Sequence, residues 1–456
     1  MAAARAVELG ARTALVTQNE HGGMAANDGP VPVRTLAHTA RLMRDARQLG
    51  RYGVTIDDPV LDYSRMLERV REVVTDVRTM SSLRKQIEAQ GAIVYENVGN
   101  AHFLDAHNIV TETGLRLHSE RFIICTGGVS KKLPIPGFEF TSTHSDAWSL
   151  TGVPRSMIVI GCGATGVQVA SIFNTFGSRI ELFEAGPHIL PTEDDDVAAA
   201  MADAFKQAGI AVHEDFGAIE SFEKTATGVR MTFSKDGHRE TAEAALAVVA
   251  IGWQVATQAL NLPAAGVDVT QRGFVKVNEY LQTSAPHIFA AGDATGPIML
   301  ASEGLREGFV AATNAVREAS LPASSHMTPA GSFTDPEYAS VGLTERKARE
   351  TYDVVTAVAN FDANTRAIID GQTFGFCKLI VDSKANEILG CHVVGERAVD
   401  IVQVASVALA AGVRRVDDLA RVAVSFPTYA QILINAAIKA ALQMNLDIGW
   451  RAHYAV

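Results

Sequence analysis

With 456 residues, 47% of them hydrophobic and 20% charged, the chain can bury large cores in about two to four domains. Its net charge of −11 argues against nucleic acid as a partner. No apolar run is as long as a membrane span, and the first residues lack the basic-then-apolar layout of a secretory signal, so a cytoplasmic protein with no membrane partner is expected. Four cysteines (Cys125, Cys162, Cys377, Cys391) lie far apart, and the thirteen histidines show no metal-binding spacing. Neither a disulfide framework nor a metal site is expected.

Residues 1–8 read as a helix already under way, and 10–16 as a turn and a buried strand. This reads as the second half of a βαβ unit, and the expectation is that its first strand and glycine turn are absent, as a start placed too late or a truncated chain would give. A loop rich in Gly and Pro follows, from Gly22 and Gly23 to Arg34, then a helix over 35–47. Residues 61–90 predict one long amphipathic helix, and 92–95 and 108–110 short strands. Residues 121–125 form a strand that runs into the turn Thr126-Gly127, and 131–137 read as a linker.

Four apolar residues then lead into Gly161-x-Gly163-x-x-Gly166, and a helical pattern leaves it. In such a unit the first glycine makes the tight turn, the second lets backbone N–H groups approach a pyrophosphate, and the third lets helix and strand pack. The next apolar run ends at Glu184, a carboxylate placed to hold an adenosine ribose. Farther on come a helix at 198–207, a strand pair within 219–233, and a strand at 247–251 ending at Gly252. Residues 273–277 and 288–291 read as strands, the second ending at Gly292 and Asp293, and 300–316 as a helix. After a polar stretch at 321–329, strands (357–361, 376–381, 388–394) and helices (399–411, 430–444) make an α+β domain. The apolar helix at 432–444 suits either a partner surface or a core.

The order of these motifs, with Phe333-Thr-Asp-Pro-Glu337 and Phe426-Pro-Thr428, resembles the two-dinucleotide-binding flavoproteins of the dihydrolipoamide dehydrogenase, glutathione reductase and mercuric reductase family. The resemblance implies an α/β fold with two Rossmann-like dinucleotide-binding domains, for FAD and NAD(P), plus a C-terminal α+β dimerisation domain. It implies FAD-binding parts at 1–150 and 263–327, an NAD(P)-binding domain at 151–262, an interface domain at 328–456, and a homodimer. FAD would be held by Gly22, Gly23, Thr126, Gly127, Gly292, Asp293, Leu300 and Ala301, and Gly252 is a further cofactor-binding residue. The nicotinamide nucleotide would be held by Gly161, Gly163, Gly166 and Glu184. Glu184 favours NAD over NADP, with Arg179 on the same strand moderating the preference.

Several positions depart from the family. Its two redox cysteines are Ala25 and Pro30 here, its lysine is Arg34, and the glutamate that pairs with that lysine is Gln168. The C-terminal histidine is Phe426, with Gln431 in place of the acid and Tyr429 the one nearby titratable group. A carboxylate on the adenosine side of the flavin site is Thr17. Cys125 and Cys162 read as small hydrophobes, Cys377 and Cys391 have no expected redox role, and His21 reads as a solvated loop residue. The expectation is a FAD-dependent NAD(P)H oxidoreductase, not a disulfide reductase. It passes electrons directly to a small non-thiol acceptor such as a quinone, a dye or another nicotinamide, with Arg34, Gln168 and Tyr429 as candidate catalytic residues. The rival is a dimeric nucleotide-binding protein of the same fold that has lost turnover.

Overall fold

The computed structural model describes residues 1–80, 83–148, 150–296, 298–323 and 327–453. It divides into two compact units. The first comprises residues 1–35, 64–131 and 252–326, and the second 36–63, 132–251 and 327–456.

In the first unit, short strands pair in parallel: Ala14–Val16 with Ile93–Tyr95, and Ile288–Ala290 with Phe122–Ile124. Gly128–Ser130 pairs antiparallel with Trp253–Val255, and a three-stranded antiparallel sheet runs Ala101–Phe103, Asn108–Thr111, Arg116–His118. The helix Ala301–Val316 packs on Ile288–Ala290 and on the helix Ala2–Glu8. Residues 273–277, read as a strand, form none; only Val275 bridges to Val269. Gly273 turns at φ +84°, and the adjacent Phe274 and Val275 are both buried, so burial rather than a strand ladder gathers these apolar residues. The expected loop at 22–34 is instead helical, as Gly23–Asn27 and the first turns of Pro30–Gln48. Pro30 and Pro32 sit in a first helical turn, where a missing N–H costs nothing. Of the single helix expected at 61–90, the described residues show Tyr63–Met80 and Leu83–Ala89; residues 81–82 of that span, and 324–326 of the polar stretch at 321–329, lie outside the described residues.

The second unit contains a four-stranded parallel sheet in the order Ala211–Glu214, Arg179–Glu184, Ser156–Ile160, Leu246–Val249. Every residue of Ser156–Ile160 is buried, as expected of a central parallel strand. Beside it lies an antiparallel sheet of Ala218–Lys224, Val229–Lys235 and His238–Ala244. The third strand escaped the sequence because His-Arg-Glu-Thr-Ala-Glu-Ala is mostly exposed and carries no apolar alternation. Phe183, Phe216, Phe222, Met231 and Phe233 make the core of this region.

The C-terminal part is a five-stranded antiparallel sheet in the order Ala330–Ser332, Tyr338–Gly342, Ile388–Gly395, Gly375–Asp382, Val354–Asn360. The helix Gln431–Gln443 buries Ile432, Leu433, Ile434, Ala436, Ala437, Ile438, Ala440 and Ala441 within its own subunit. These residues belong to the core of the C-terminal part.

Phe183 stacks on His213 and meets Phe216 and Phe233 edge-on, while only 1% exposed. Phe183→Ala should therefore cost about 3–5 kcal/mol, read as a lowered midpoint in thermal unfolding followed by circular dichroism.

Candidate functional site

The turn at the end of Ser156–Ile160 is held by contacts that leave no room for side chains at two of its glycines. Gly161 has φ +91°, and a Cβ there would lie 2.5 Å from the Ala250 carbonyl oxygen. A Cβ on Gly166 would lie 1.8 Å from the Gly161 carbonyl oxygen, so the helix Ala164–Thr175 starts directly against the strand. Gly163 differs. Its φ of −72° is ordinary, and nothing lies within 4 Å of a Cβ built there. It borders open space at the N-terminus of a helix with no side-chain cap, where free N–H groups suit a phosphate.

Glu184 stands at the tip of the neighbouring strand. One carboxylate oxygen accepts from the Cys162 N–H at 2.9 Å, the other from the Gly186 N–H at 2.8 Å. Burial and this carboxylate push the Cys162 thiol far above its usual range, which leaves it a packed, inert group. Arg179 begins the strand that Glu184 ends, so about 16 Å of extended chain separates them.

Gln168, two residues past the turn, donates through Nε2 to the Ala164 carbonyl at 2.9 Å and accepts from the Phe333 N–H at 3.4 Å. Both ends of its amide are thus used by main chain. Tyr429 donates its hydroxyl to Asp370 at 3.0 Å, and Arg366 holds the same carboxylate at 2.7 Å. Burial and Asp370 raise the phenol well above its ordinary value, making it a poor proton source. Phe426 is 71% exposed.

Arg34 lies in the first unit and is exposed. There, Gly22 has φ +110° and starts the helix Gly23–Asn27; Gly127 has φ +69° and Gly252 φ +104°, both open to a ligand's close approach. Thr126 lies between Cys125 and Gly127 and is exposed. Gly292 packs against Gly304, and its N–H donates to Glu307 at 2.7 Å. The half-buried Asp293 carboxyl is raised above the usual carboxylate range by burial. The helix Ala301–Val316 begins at Leu300 with no side-chain cap, so its first N–H groups remain for a ligand. Thr17 spends its hydroxyl on the Asn19 carbonyl at 2.7 Å.

One group here goes unread in the sequence and another is misread. Glu307 fastens the Gly292 turn; its signal is its position two turns beyond Leu300, on the same helix face. His21 is not a solvated loop residue: its Nδ1 lies 2.6 Å from Glu96, its Nε2 is buried without a hydrogen-bond partner, and Arg84 holds the other Glu96 oxygen. Glu96 is some seventy residues away, and no local pattern links the two. Cys125 also differs from the reading as a buried filler. It is exposed to water, yet crowded enough that desolvation pushes its thiol up to about 11. Among the described residues no group of three or more His, Cys, Asp or Glu is arranged to hold a metal ion, and no helix is long and apolar enough to cross a membrane.

Residues 1–319 match the family described as pyridine nucleotide-disulphide oxidoreductase, and 328–437 match that family's dimerisation domain. The chain belongs to this family. It is 33% identical over 448 residues to a dihydrolipoyl dehydrogenase of Thermus scotoductus, covering 96% of this chain and 94% of the relative. It is 30% identical over 439 residues to a mercuric reductase of Lysinibacillus sphaericus, covering 96% and 79%. Among solved structures, the HOCl-induced flavoprotein disulfide reductase RclA from Escherichia coli superposes with a TM-score of 0.84 at 25% identity, covering 96% of each chain.

The pyridine nucleotide-disulphide oxidoreductases are flavoproteins, and this member's cofactors are FAD and NAD. The open glycines, Asp293 and the two uncapped helix starts fit these groups. Two expectations are overturned. The chain was read as an enzyme other than a disulfide reductase, delivering electrons to a non-thiol acceptor. Its relatives are a dihydrolipoyl dehydrogenase, a mercuric reductase and a flavoprotein disulfide reductase. Ala25 and Pro30 occupy one short segment, whereas the likeness runs through both matched domains.

The two glycines of the turn should separate binding from folding. Gly163→Ala should leave thermal unfolding unchanged and weaken NADH binding about tenfold or more in calorimetric titration. Gly166→Ala should lower the unfolding midpoint through its backbone clash.

Proposed function

We propose that this member oxidises NADH through FAD and passes the electrons to an acceptor of the disulfide class. We further propose that it does so without a redox cysteine pair in segment 22–34, where Ala25 and Pro30 stand. The observation that carries the reading is the nucleotide turn, open at Gly163 and flanked by Glu184, in a chain so closely related to dihydrolipoyl dehydrogenase. In this reading Gly161, Gly163, Gly166 and Glu184 hold NAD. Gly22, Gly23, Thr126, Gly127, Gly252, Gly292, Asp293, Leu300 and Ala301 hold FAD. The domains follow as residues 1–150 with 263–327 for FAD, 151–262 for the nicotinamide nucleotide, and 328–456 for pairing two copies.

The bound flavin supplies acceptance of a hydride from the nicotinamide and return of two electrons to the substrate. The chain's own residues orient and polarise. The N-terminus of Ala301–Val316 favours negative charge at the flavin, and Arg34 adds a permanent cation at the start of the helix Pro30–Gln48. Gln168 acts by fixing the first turn of the nucleotide helix to Phe333. Tyr429, with its proton committed to Asp370, serves as a positioned surface group and not as the acid. Reduction of a disulfide breaks one S–S bond and consumes two electrons and two protons, supplied by NADH and one proton from solvent.

Anaerobic titration with NADH should bleach the bound flavin, and oxidised lipoamide or glutathione disulfide should restore its colour. A flavin that stays oxidised under excess NADH would sink the proposal. A flavin bleached by NADH but indifferent to both disulfides would remove the acceptor class.

A further inference from the structure

The segment after Glu184 is tied to the glycine turn and to the C-terminal sheet at once. Leu190, in the left-handed region at φ +51° and only 1% exposed, donates its N–H to the Cys162 carbonyl at 2.9 Å. Ile189 donates to Glu214 at 2.9 Å, and Glu193 to the Leu190 carbonyl at 3.0 Å. Residues 185–194 thus form one wall of the nucleotide turn. Their far end is Asp194, the residue that opens the helix Asp195–Gln207.

An aspartate at that position ordinarily caps the helix with its side chain, worth about 1 kcal/mol. Asp194 makes no such bond. One of its oxygens instead accepts from the Glu345 N–H at 2.8 Å. The other lies 3.0 Å from the Lys378 ammonium and 3.6 Å from His392 Nε2. Lys378 is 3% exposed on the strand Gly375–Asp382, directly across from His392 on Ile388–Gly395. It also meets Asp196 at 2.7 Å and Glu345 at 3.3 Å. Burial alone would lower the Lys378 pKa, but the surrounding carboxylates raise it, so the ammonium stays charged. His392 donates to the Leu343 carbonyl at 2.9 Å, which fixes its orientation. The remaining titratable neighbour, Glu193, is raised by burial.

A buried cation among carboxylates is costly to assemble and contributes little net stability compared with an apolar core. Its consequence here is geometric: it draws Asp194 away from its helix and fixes the end of the 185–194 wall. We propose that Lys378 is a positioning residue for the nucleotide site, holding this wall against Cys162 through Asp194. It thereby sets NADH affinity and not the rate of hydride transfer. The inference rests on the reading of the Gly161–Gly166 turn as the nucleotide site.

Three variants test it in the FAD-loaded enzyme. Lys378→Met should raise the NADH dissociation constant about tenfold by calorimetry, equivalent to about 1.4 kcal/mol. The limiting rate of flavin reduction should stay within about twofold, and amides of 185–194 should exchange faster with deuterium. Lys378→Arg should restore most of the affinity. Because Lys378→Met leaves Asp194 charged and buried, the neutral pair Asp194→Asn with Lys378→Met guards against simple misfolding and should show the same weakened binding. Wild-type affinity in both Lys378→Met and the neutral pair would overturn the inference. So would a loss of limiting rate at unchanged affinity. If Gly163→Ala also left NADH binding intact, the nucleotide assignment itself would be at fault, and the two failures stay distinct.

Discussion

The hydrogen bonds that Glu184 accepts from Cys162 and Gly186 are the constraint on which the second unit's site depends. They join the end of one parallel strand to the turn leaving the next, so the acid and the glycine turn move as one piece. The Cys162 carbonyl takes the Leu190 N–H, which adds the following segment to the same piece. A carboxylate held by two main-chain donors keeps acceptor capacity to spare, because each oxygen carries more than one lone pair. It can hold the turn and a ribose hydroxyl together. The glycine requirements differ accordingly: protein atoms exclude a side chain at Gly166, whereas Gly163 borders open space.

The parts legible in the sequence were those with local periodicity or a fixed spacing. The strand Ser156–Ile160, the glycine turn and the helix after it could be read because strand, turn and helix signals adjoin within about twenty residues. Glu184 followed from its distance along the chain. What could not be read depends on partners distant in sequence. The strand His238–Ala244 is specified by its pairing with Val229–Lys235, not by its own polar composition. The Gly-Pro segment at 22–34 looked like a loop because glycine and proline are loop residues by default. Yet both prolines fall in a first helical turn, where proline is permitted. His21 reads as solvated until Glu96 is placed beside it. The acceptor class failed for a different reason: two changed positions were read as a change of chemistry, when relatedness extends through both matched domains.

In the second unit, much of what joins the C-terminal sheet to the rest is ionic. Arg41 reaches Glu337 and Glu396, Arg44 reaches Asp335 and Glu396, and Lys378 reaches Asp194. Such contacts have a cost that an apolar seam would avoid. Burial outweighs the Arg41 pairing at Glu337 and lifts its carboxyl to about 6. A carboxyl raised in the folded state favours folding most below its unfolded value near 4.5, and that contribution is lost as pH rises through about 6. At neutral pH, then, Glu337 opposes folding relative to a protonated acid. Oriented charge pairs nevertheless specify register in a way that interchangeable apolar contacts do not. Asp194 marks where that specificity matters. It gives up the cap of its own helix to meet Lys378, and the segment it anchors is the one bonded to the nucleotide turn. The C-terminal domain thereby contributes to the nucleotide site through the main chain it holds in place.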